Sequence, residues 1–202
     1  MSSHKNPILI DVPLPIKTPR LTIRDIRPGD GQALYEAKKE SLEELKHWMT
    51  WAQGGAEGLS QEQDEVLCRV KHAEFIKRED MMMLAFDNQT NAFVAATGFH
   101  RNNWQVPSFE IGFWVRSSLA GKGLATELTT ALSRYAFEAL QARRVSIFHA
   151  EGNIGSQRVI EKVGFAYEGL EKNSDPVGAH LYTIYKYAMF DKSDLPELDV
   201  SW

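Results

Sequence analysis

The sequence has little of three features that would narrow its function. It contains one cysteine, Cys68, so it forms no intramolecular disulfide and offers no cysteine-rich zinc cluster. Its 23 Lys and Arg residues against 27 Asp and Glu residues give a formal net charge of -4, which disfavours DNA binding. Its apolar run from Ile8 to Ile10 is too short for a signal peptide or a membrane span. These scarcities predict a cytoplasmic protein, and the histidine spacing predicts no metal site.

The length and composition favour one globular domain. A chain of 202 residues, 43% of them hydrophobic, can bury one substantial core, whereas two domains would be cramped. We expect a single domain over residues 1–202, with its core between about residues 18 and 190.

The most informative segment joins a predicted strand to a predicted helix. Apolar side chains alternate from Phe109 to Val115, which is typical of a strand. The turn Gly121-Lys122-Gly123 follows, and a helical pattern begins directly after it. Glycines let backbone N–H groups approach a ligand, and the first turn of a helix adds N–H groups that lack partners. The segment therefore predicts a site for an anion such as phosphate.

Two other phosphate-binding loops do not match this segment. A Walker loop requires Ser or Thr after its lysine, where Gly123 stands here, and a Rossmann fingerprint requires glycine or alanine in place of Thr126. A tight turn without a ligand is the remaining alternative, and the glycines alone leave it open.

Capping and periodicity patterns predict the other elements. Ser41 with Glu44 and Ser60 with Gln63 match capping boxes, so we expect a helix to begin at each. Glu127 lies opposite the apolar side of the helix after the glycine turn, which predicts that it is exposed. Further strands are predicted at residues 81–86, 93–99, 145–148, 166–170 and 181–190.

A second motif follows the glycine turn. It consists of Asn153-Ile154-Gly155-Ser156, then Glu161-Lys162-Val163-Gly164-Phe165, then Glu168-Gly169. With the glycine turn, it resembles the N-x-x-S, E-K-x-G-F and E-G elements of the GNAT superfamily of acyl-CoA-dependent N-acyltransferases. The resemblance is to the RimJ/RimL branch, which acetylates ribosomal-protein N termini, and it spans about Thr18 to Phe190.

The resemblance implies an α+β fold, an α/β sandwich with acetyl-CoA as the cosubstrate. A mixed, mostly antiparallel sheet flanked by helices would splay at its centre around the pantetheine arm, with the diphosphate on the glycine turn. One departure is Ala120, which stands where the family signature has Gln or Arg. The implied cofactor-binding residues are Trp114, Val115, Arg116, Gly121, Lys122, Gly123, Leu124, Ala125, Thr126, Asn153 and Arg158.

The implied activity is that of an acetyltransferase acting on a primary amine. Glu110 lies on the side of its strand opposite the apolar residues and is the candidate base, or else a surface carboxylate. Ser156 matches the serine that protonates the departing thiolate, and Asn153 orders the loop; a helix start and a turn are the alternatives. His100 and His149 are alternative bases, or else packing or surface residues.

The acetyl group is expected to move directly to the amine in a ternary complex. Cys68 lies in a predicted helix among apolar residues, and a buried thiol is a poor nucleophile. The sequence therefore predicts no acyl-enzyme.

The acceptor is expected at the least regular region, residues 42–58. Trp48 and Trp51 are the candidate substrate-binding residues, or else part of the core. The resemblance implies the N-terminal α-amino group of a ribosomal protein as acceptor. A small amine such as an amino sugar, polyamine or amino acid is one alternative, and a non-catalytic acyl-CoA-binding module is another. A homodimer also stays open, since a sequence does not report which strand edges pair between subunits.

Overall fold

A computed structural model describes residues 6–202 of the chain, and these residues contain one eight-stranded sheet. The strands are β1 (Ile16–Lys17), β2 (Leu21–Asp25), β3 (Met81–Asp87), β4 (Phe93–Asn103), β5 (Ser108–Val115), β6 (Arg144–Ala150), β7 (Ala166–Val177) and β8 (His180–Met189). Their order in the sheet is β1-β2-β3-β4-β5-β6-β8-β7. All neighbouring pairs are antiparallel except β5 and β6. The mixed, mostly antiparallel sheet is confirmed.

Helices pack on both faces of this sheet. Those of the described residues are α1 (Gly31–Leu45), α2 (Gln61–Lys77), α3 (Leu124–Glu138) and α4 (Ile154–Val163). Ile111 and Trp114 lie on opposite faces of β5, and each belongs to a different buried apolar cluster. Helices α3 and α4 contribute to the cluster of Ile111, and α1 contributes to that of Trp114. No helix within residues 6–202 has the length and apolarity needed to cross a bilayer.

One predicted helix start is confirmed and another is wrong. The hydroxyl of Ser60 accepts a hydrogen bond from the N–H of Gln63 at 3.1 Å, and α2 begins at the next residue. Ser41 instead lies inside α1, because apolar residues continue at helical spacing through it and bury that face. Its buried hydroxyl accepts a hydrogen bond from the N–H of Ser117 at 3.0 Å. Ser41 therefore does not begin a helix; it connects α1 to the segment after β5.

The sheet opens at its centre, between β5 and β6. These strands pair only from Ser108 opposite Arg144 to Ile111 opposite Ile147. Beyond that point β5 stays paired with β4, and β6 stays paired with β8. The last residues of β5 therefore have a free backbone edge, as the resemblance implied.

Candidate active site

The glycine turn after β5 leads directly into α3, as predicted. Gly121 has φ 75° and Gly123 has φ 76°, a left-handed conformation that glycine adopts without steric cost. Helix α3 begins at Leu124. Within residues 6–202, none of the six N–H groups from Gly121 to Thr126 donates a hydrogen bond to the protein. Six adjacent donors and the positive end of the α3 dipole form a suitable site for an anion.

A buried carboxylate supports this turn from behind, and here the sequence prediction was wrong. Glu127 was expected on the exposed side of α3, yet it is 8% exposed. It accepts hydrogen bonds from the hydroxyl of Thr18 at 2.6 Å and from Nε of Arg20 at 2.5 Å. Arg20 also donates to the carbonyl of Lys122 at 2.9 Å. The ion pair satisfies a carboxylate that periodicity alone would place in solvent, and it fixes the position of the turn.

A cavity of about 380 Å³ lies over the free N–H groups. Two basic side chains of α4, Arg158 and Lys162, line it. Two other basic residues that were predicted to bind the cofactor, Arg116 and Lys122, do not line this cavity. Nε of Arg116 instead donates to Glu40 at 2.6 Å. The lining residues are Phe113, Val115, Leu119, Ala120, Gly121, Gly123, Leu124, Ala125, Thr126, Gly155, Arg158, Val159 and Lys162. We call this space the turn cavity.

The free edge of β5 runs along the opening in the sheet. The N–H of Arg116 donates to the carbonyl of Val94 in β4 at 2.9 Å. Backbone groups of alternate residues point to alternate sides of a strand, so those of Phe113 and Val115 face the opening. By the same alternation the backbone of Trp114 faces β4, and its side chain is buried beside Phe93. Phe113, not Trp114, is therefore the second residue of β5 with backbone groups at the opening.

A second cavity, of about 680 Å³, lies on the other side of Phe113. It brings together four of the predicted site residues, which come from three separate parts of the chain: Trp48, Glu110, and Asn153 with Ser156. Its remaining lining residues are Met49, Arg101, Ile111, Gly112, Phe113, Phe148, His149, Ala150, Glu171, Ser174, Asp175, Ile184 and Lys186. We call this space the acceptor cavity. Because Phe113 lines both cavities, the opening in the sheet connects them.

Asn153 holds the start of α4 at the acceptor cavity. Its side-chain oxygen accepts a hydrogen bond from the N–H of Ser156 at 3.0 Å, so it caps the helix. Ser156 is half-buried, and its hydroxyl has no hydrogen-bond partner among the residues described. The cap therefore orients Ser156 while leaving its hydroxyl available to a substrate.

Glu110 lines the acceptor cavity with its side chain 15% exposed. Arg101, whose side chain is 73% exposed, forms an ion pair with it. His100 lies directly across from Glu110 in the β4–β5 ladder, so the two side chains are on the same face of the sheet. A Cβ on Gly112 would stand 2.9 Å from the His100 ring, and the glycine makes room for the imidazole there.

Asp80 orients His100, and no local pattern in the sequence predicts this pair. Nδ1 of His100 lies 2.9 Å from the Asp80 carboxylate, whose other oxygen accepts from Lys71 at 3.0 Å. Burial alone would raise the pKa of Asp80, but the hydrogen bonds and charges of His100 and Lys71 outweigh it and lower that pKa. The two residues are twenty positions apart and meet only through the β3–β4 pairing.

The second predicted histidine, His149, is buried in the wall of the acceptor cavity. Its Nδ1 lies 2.9 Å from the carbonyl of Ala150, which can only accept, so Nδ1 carries a proton. Its Nε2 lies 3.4 Å from the hydroxyl of Tyr187. His149 packs flat on Tyr185 with ring centroids 5.1 Å apart. Among residues 6–202 no three His, Cys, Asp or Glu side chains are grouped to bind a metal.

The two tryptophans proposed for the acceptor have different places. Trp48 lines the acceptor cavity and packs on Tyr182, with ring centroids 5.7 Å apart. Trp51 does not line it; it packs on Trp114 at 6.1 Å, and the ammonium of Lys38 lies 4.9 Å from its ring. Trp51 thus anchors the segment after α1, and Trp48 faces the cavity.

Cys68 is fully buried in α2 and lines neither cavity. Burial, with smaller contributions from Asp30, Glu65 and Asp64, raises the pKa of its thiol to about 12. A thiol that stays protonated is not a nucleophile at neutral pH.

Known proteins share this architecture. A Bacillus subtilis (strain 168) relative named "Putative ribosomal N-acetyltransferase YdaF" is 25% identical over 173 residues, 85% of this chain and 92% of that protein. The structure of RimL, a ribosomal alpha-N-protein acetyltransferase in complex with coenzyme A, has a TM-score of 0.79 at 20% identity, with 88% of this chain and 97% of that chain covered. The microcin C7 self-immunity acetyltransferase MccE, in complex with acetyl-CoA and AMP, has a TM-score of 0.79 at 14% identity, covering 86% and 93%.

A family model provides the assignment. The model described as "Acetyltransferase (GNAT) domain" matches residues 20–166, which include the glycine turn, the opening in the sheet and Ser156. The chain belongs to the GNAT family of acetyltransferases.

Proposed function

We propose that this single-domain acetyltransferase transfers the acetyl group of acetyl-CoA to the N-terminal α-amino group of a protein, with ribosomal proteins as the leading class. The observation that carries the proposal is the row of six free N–H groups from Gly121 to Thr126 beside an opening in the sheet. The name of the Bacillus subtilis relative supports the ribosomal acceptor, and the RimL complex supports the CoA donor.

The donor fits along one continuous path. Its diphosphate accepts from the free N–H groups, and Arg158 and Lys162 add positive charge at the turn cavity. Its pantetheine arm, which carries amide groups, pairs with the backbone of Phe113 and Val115 as an added strand would. This path brings the thioester to Phe113, where the two cavities meet.

The chain then provides the groups that move protons. An α-ammonium group has a pKa of about 7.7 to 8.0, so a weak base is sufficient to give the neutral amine. Glu110 takes that proton, directly or through water, and the amine nitrogen bonds to the thioester carbon. A backbone N–H at the opening stabilises the oxyanion. The carbon–sulfur bond then breaks, and Ser156 gives its proton to the thiolate. The nitrogen loses its second proton to solvent as the amide forms, and Ser156 regains a proton from solvent.

Direct transfer follows from the two cavities. Each substrate has its own cavity, and the two meet at the opening, so the amine reaches the thioester without a covalent intermediate. Cys68 is outside both cavities and stays protonated. An acetyl group found on Cys68 after rapid quenching without acceptor would contradict this step.

A thiol-release assay tests the proposal. Acetyl-CoA is supplied with ribosomal N-terminal peptides or with amino sugars, polyamines and amino acids. We expect turnover with N-terminal peptides, and a loss of kcat of about 10²-fold or more in Glu110→Gln and in Ser156→Ala. Glu197→Gln, which changes a carboxylate that lines neither cavity, serves as the control.

Three other outcomes would change the proposed acceptor, the activity or the base. Turnover with small amines alone would replace the protein acceptor with a small-molecule one. Binding of CoA without turnover of any amine would leave a non-catalytic acyl-CoA-binding module. Full activity in Glu110→Gln would move the role of base to another residue.

A further inference from the structure

The acceptor cavity contains a carboxylate that the proposed chemistry does not use. Five charged side chains line this cavity, and four of them form two ion pairs. Glu110 pairs with Arg101, and Glu171 pairs with Lys186 at 2.5 Å. Asp175 has no ion pair and no side-chain hydrogen bond among the residues described. A half-buried carboxylate without a partner favours a cation beside it.

The local backbone explains why Asp175 faces this cavity. The β7–β8 register shifts between Glu171 and Asp175, so the intervening residues bulge out of the ladder. A bulge of this kind redirects the side chains around it. Asp175 lies opposite Tyr182 in the ladder, and cross-strand partners share a face of the sheet.

An aromatic wall stands beside this carboxylate. Trp48 packs on Tyr182 and also lines the cavity. The hydroxyl of Thr50 donates to the carbonyl of Pro176 at 3.1 Å, which ties the Trp48 segment to β7 next to Asp175. A carboxylate beside aromatic rings is the combination that recognises an ammonium or guanidinium group.

A cation beside Asp175 would not be the amine that is acetylated. Strand β8 separates β7 from β6, so Asp175 lies about two strand spacings, on the order of 10 Å, from the β6 edge of the opening. The reacting amine has to reach the thioester at the opening. Glu110 is on β5 beside the opening, and Asp175 is on β7.

We propose that Asp175 binds a second positive charge of the acceptor, with Trp48 and Tyr182 beside it. The acceptor class is a primary amine with a further cationic group several bonds away, either a peptide with Lys or Arg among its first residues or a diamine. The inference takes its reaction from the proposed function, but its binding test needs no acetyl transfer.

Calorimetric titration of the full chain saturated with CoA tests the inference. The peptide probes are the amides Ser-Lys-Ala and Ser-norleucine-Ala, which differ in the distal ammonium group. The second pair is 1,5-diaminopentane and pentylamine. We expect the cationic member of at least one pair to bind about five- to tenfold more tightly, as one partly exposed ion pair allows. The pair that shows the preference identifies the source as peptide or diamine.

Three variants test whether the preference for the cationic probe depends on Asp175. Asp175→Asn should remove the preference, and Glu197→Gln should keep it. Lys186→Met leaves Glu171 unpaired in the same cavity and should increase the preference. A thermal melt of each variant identifies loss of folding, and Lys186→Met gives a gain that unfolding cannot mimic.

The outcomes separate this inference from the proposed function. Equal affinity within both pairs, a preference that survives Asp175→Asn, or no binding of either cationic probe would overturn the inference. Turnover of peptides without any preference for a distal cation would leave the proposed function standing alone. A preference that depends on Asp175, in an enzyme that acetylates no peptide, would leave the inference standing alone.

Discussion

At the scale of single residues, the side chains that hold the glycine turn in place are not those that we propose to move protons. Glu127 touches neither cavity, yet its two oxygens accept from the hydroxyl of Thr18, the N–H of Arg20 and Nε of Arg20. Arg20 in turn holds the carbonyl of Lys122 in the glycine turn. The Arg20 contact therefore holds the peptide unit between Lys122 and Gly123 in place.

Replacing this carboxylate should cost stability and donor affinity. In Glu127→Gln the side-chain NH₂ faces donors, so we expect a loss of about 2 kcal/mol of unfolding free energy, seen in chemical denaturation. The apparent Kd for CoA should rise because the turn is less restrained.

Glu138→Gln is the matched control on the same helix. It removes surface pairs with Arg134 and Lys192, which should cost less than about 0.5 kcal/mol. Equal stability of Glu127→Gln and the wild type would contradict the bracing role.

At the scale of elements, the glycine turn has a left-handed backbone conformation that other residues adopt only with strain. A Cβ on Gly121 would meet nothing within 4 Å, so an alanine there has space but an unfavourable φ of 75°. The cost of that φ is about 1 kcal/mol, which the turn can relieve by rotating its peptide units. Rotation would redirect the N–H groups that we assign to the diphosphate.

Gly121→Ala should therefore raise the Kd for CoA about tenfold in a calorimetric titration. Gly29→Ala is the control, because Gly29 has φ 98°, also has nothing within 4 Å of a Cβ, and lines neither cavity. It should lose similar stability and keep the wild-type Kd. The same Kd in both variants would count against a role for the turn in donor binding.

The elements also show what a sequence can and cannot predict. Strand β5, the turn and α3 were predicted because alternation, glycine and helical spacing are local signals. The predicted helix start at Ser41 was wrong because apolar spacing continues α1 through it, and its hydroxyl accepts from Ser117, 76 positions away. The burial of Glu127 depends on its contact with Arg20, and the placement of Asp175 depends on the register of its strand. Neither leaves a local pattern in the sequence.

At the scale of the whole molecule, the opening in the sheet joins the turn cavity to the acceptor cavity. The family was identified from the glycine turn and the N-x-x-S motif, which lie on the two sides of that opening. The walls of the acceptor cavity come from six separated segments, so no stretch of sequence describes that cavity. The turn cavity was thus largely predictable, and the acceptor cavity depended on the assembled fold.

The central claim is that the free N–H groups from Gly121 to Thr126 bind the diphosphate of CoA. A crystal structure of the full chain with CoA tests it directly. We predict diphosphate oxygens within about 3 Å of several of these nitrogens, with the pantetheine arm beside Phe113 and Val115. CoA bound elsewhere, or these N–H groups bonded to protein carbonyls in the complex, would contradict the account.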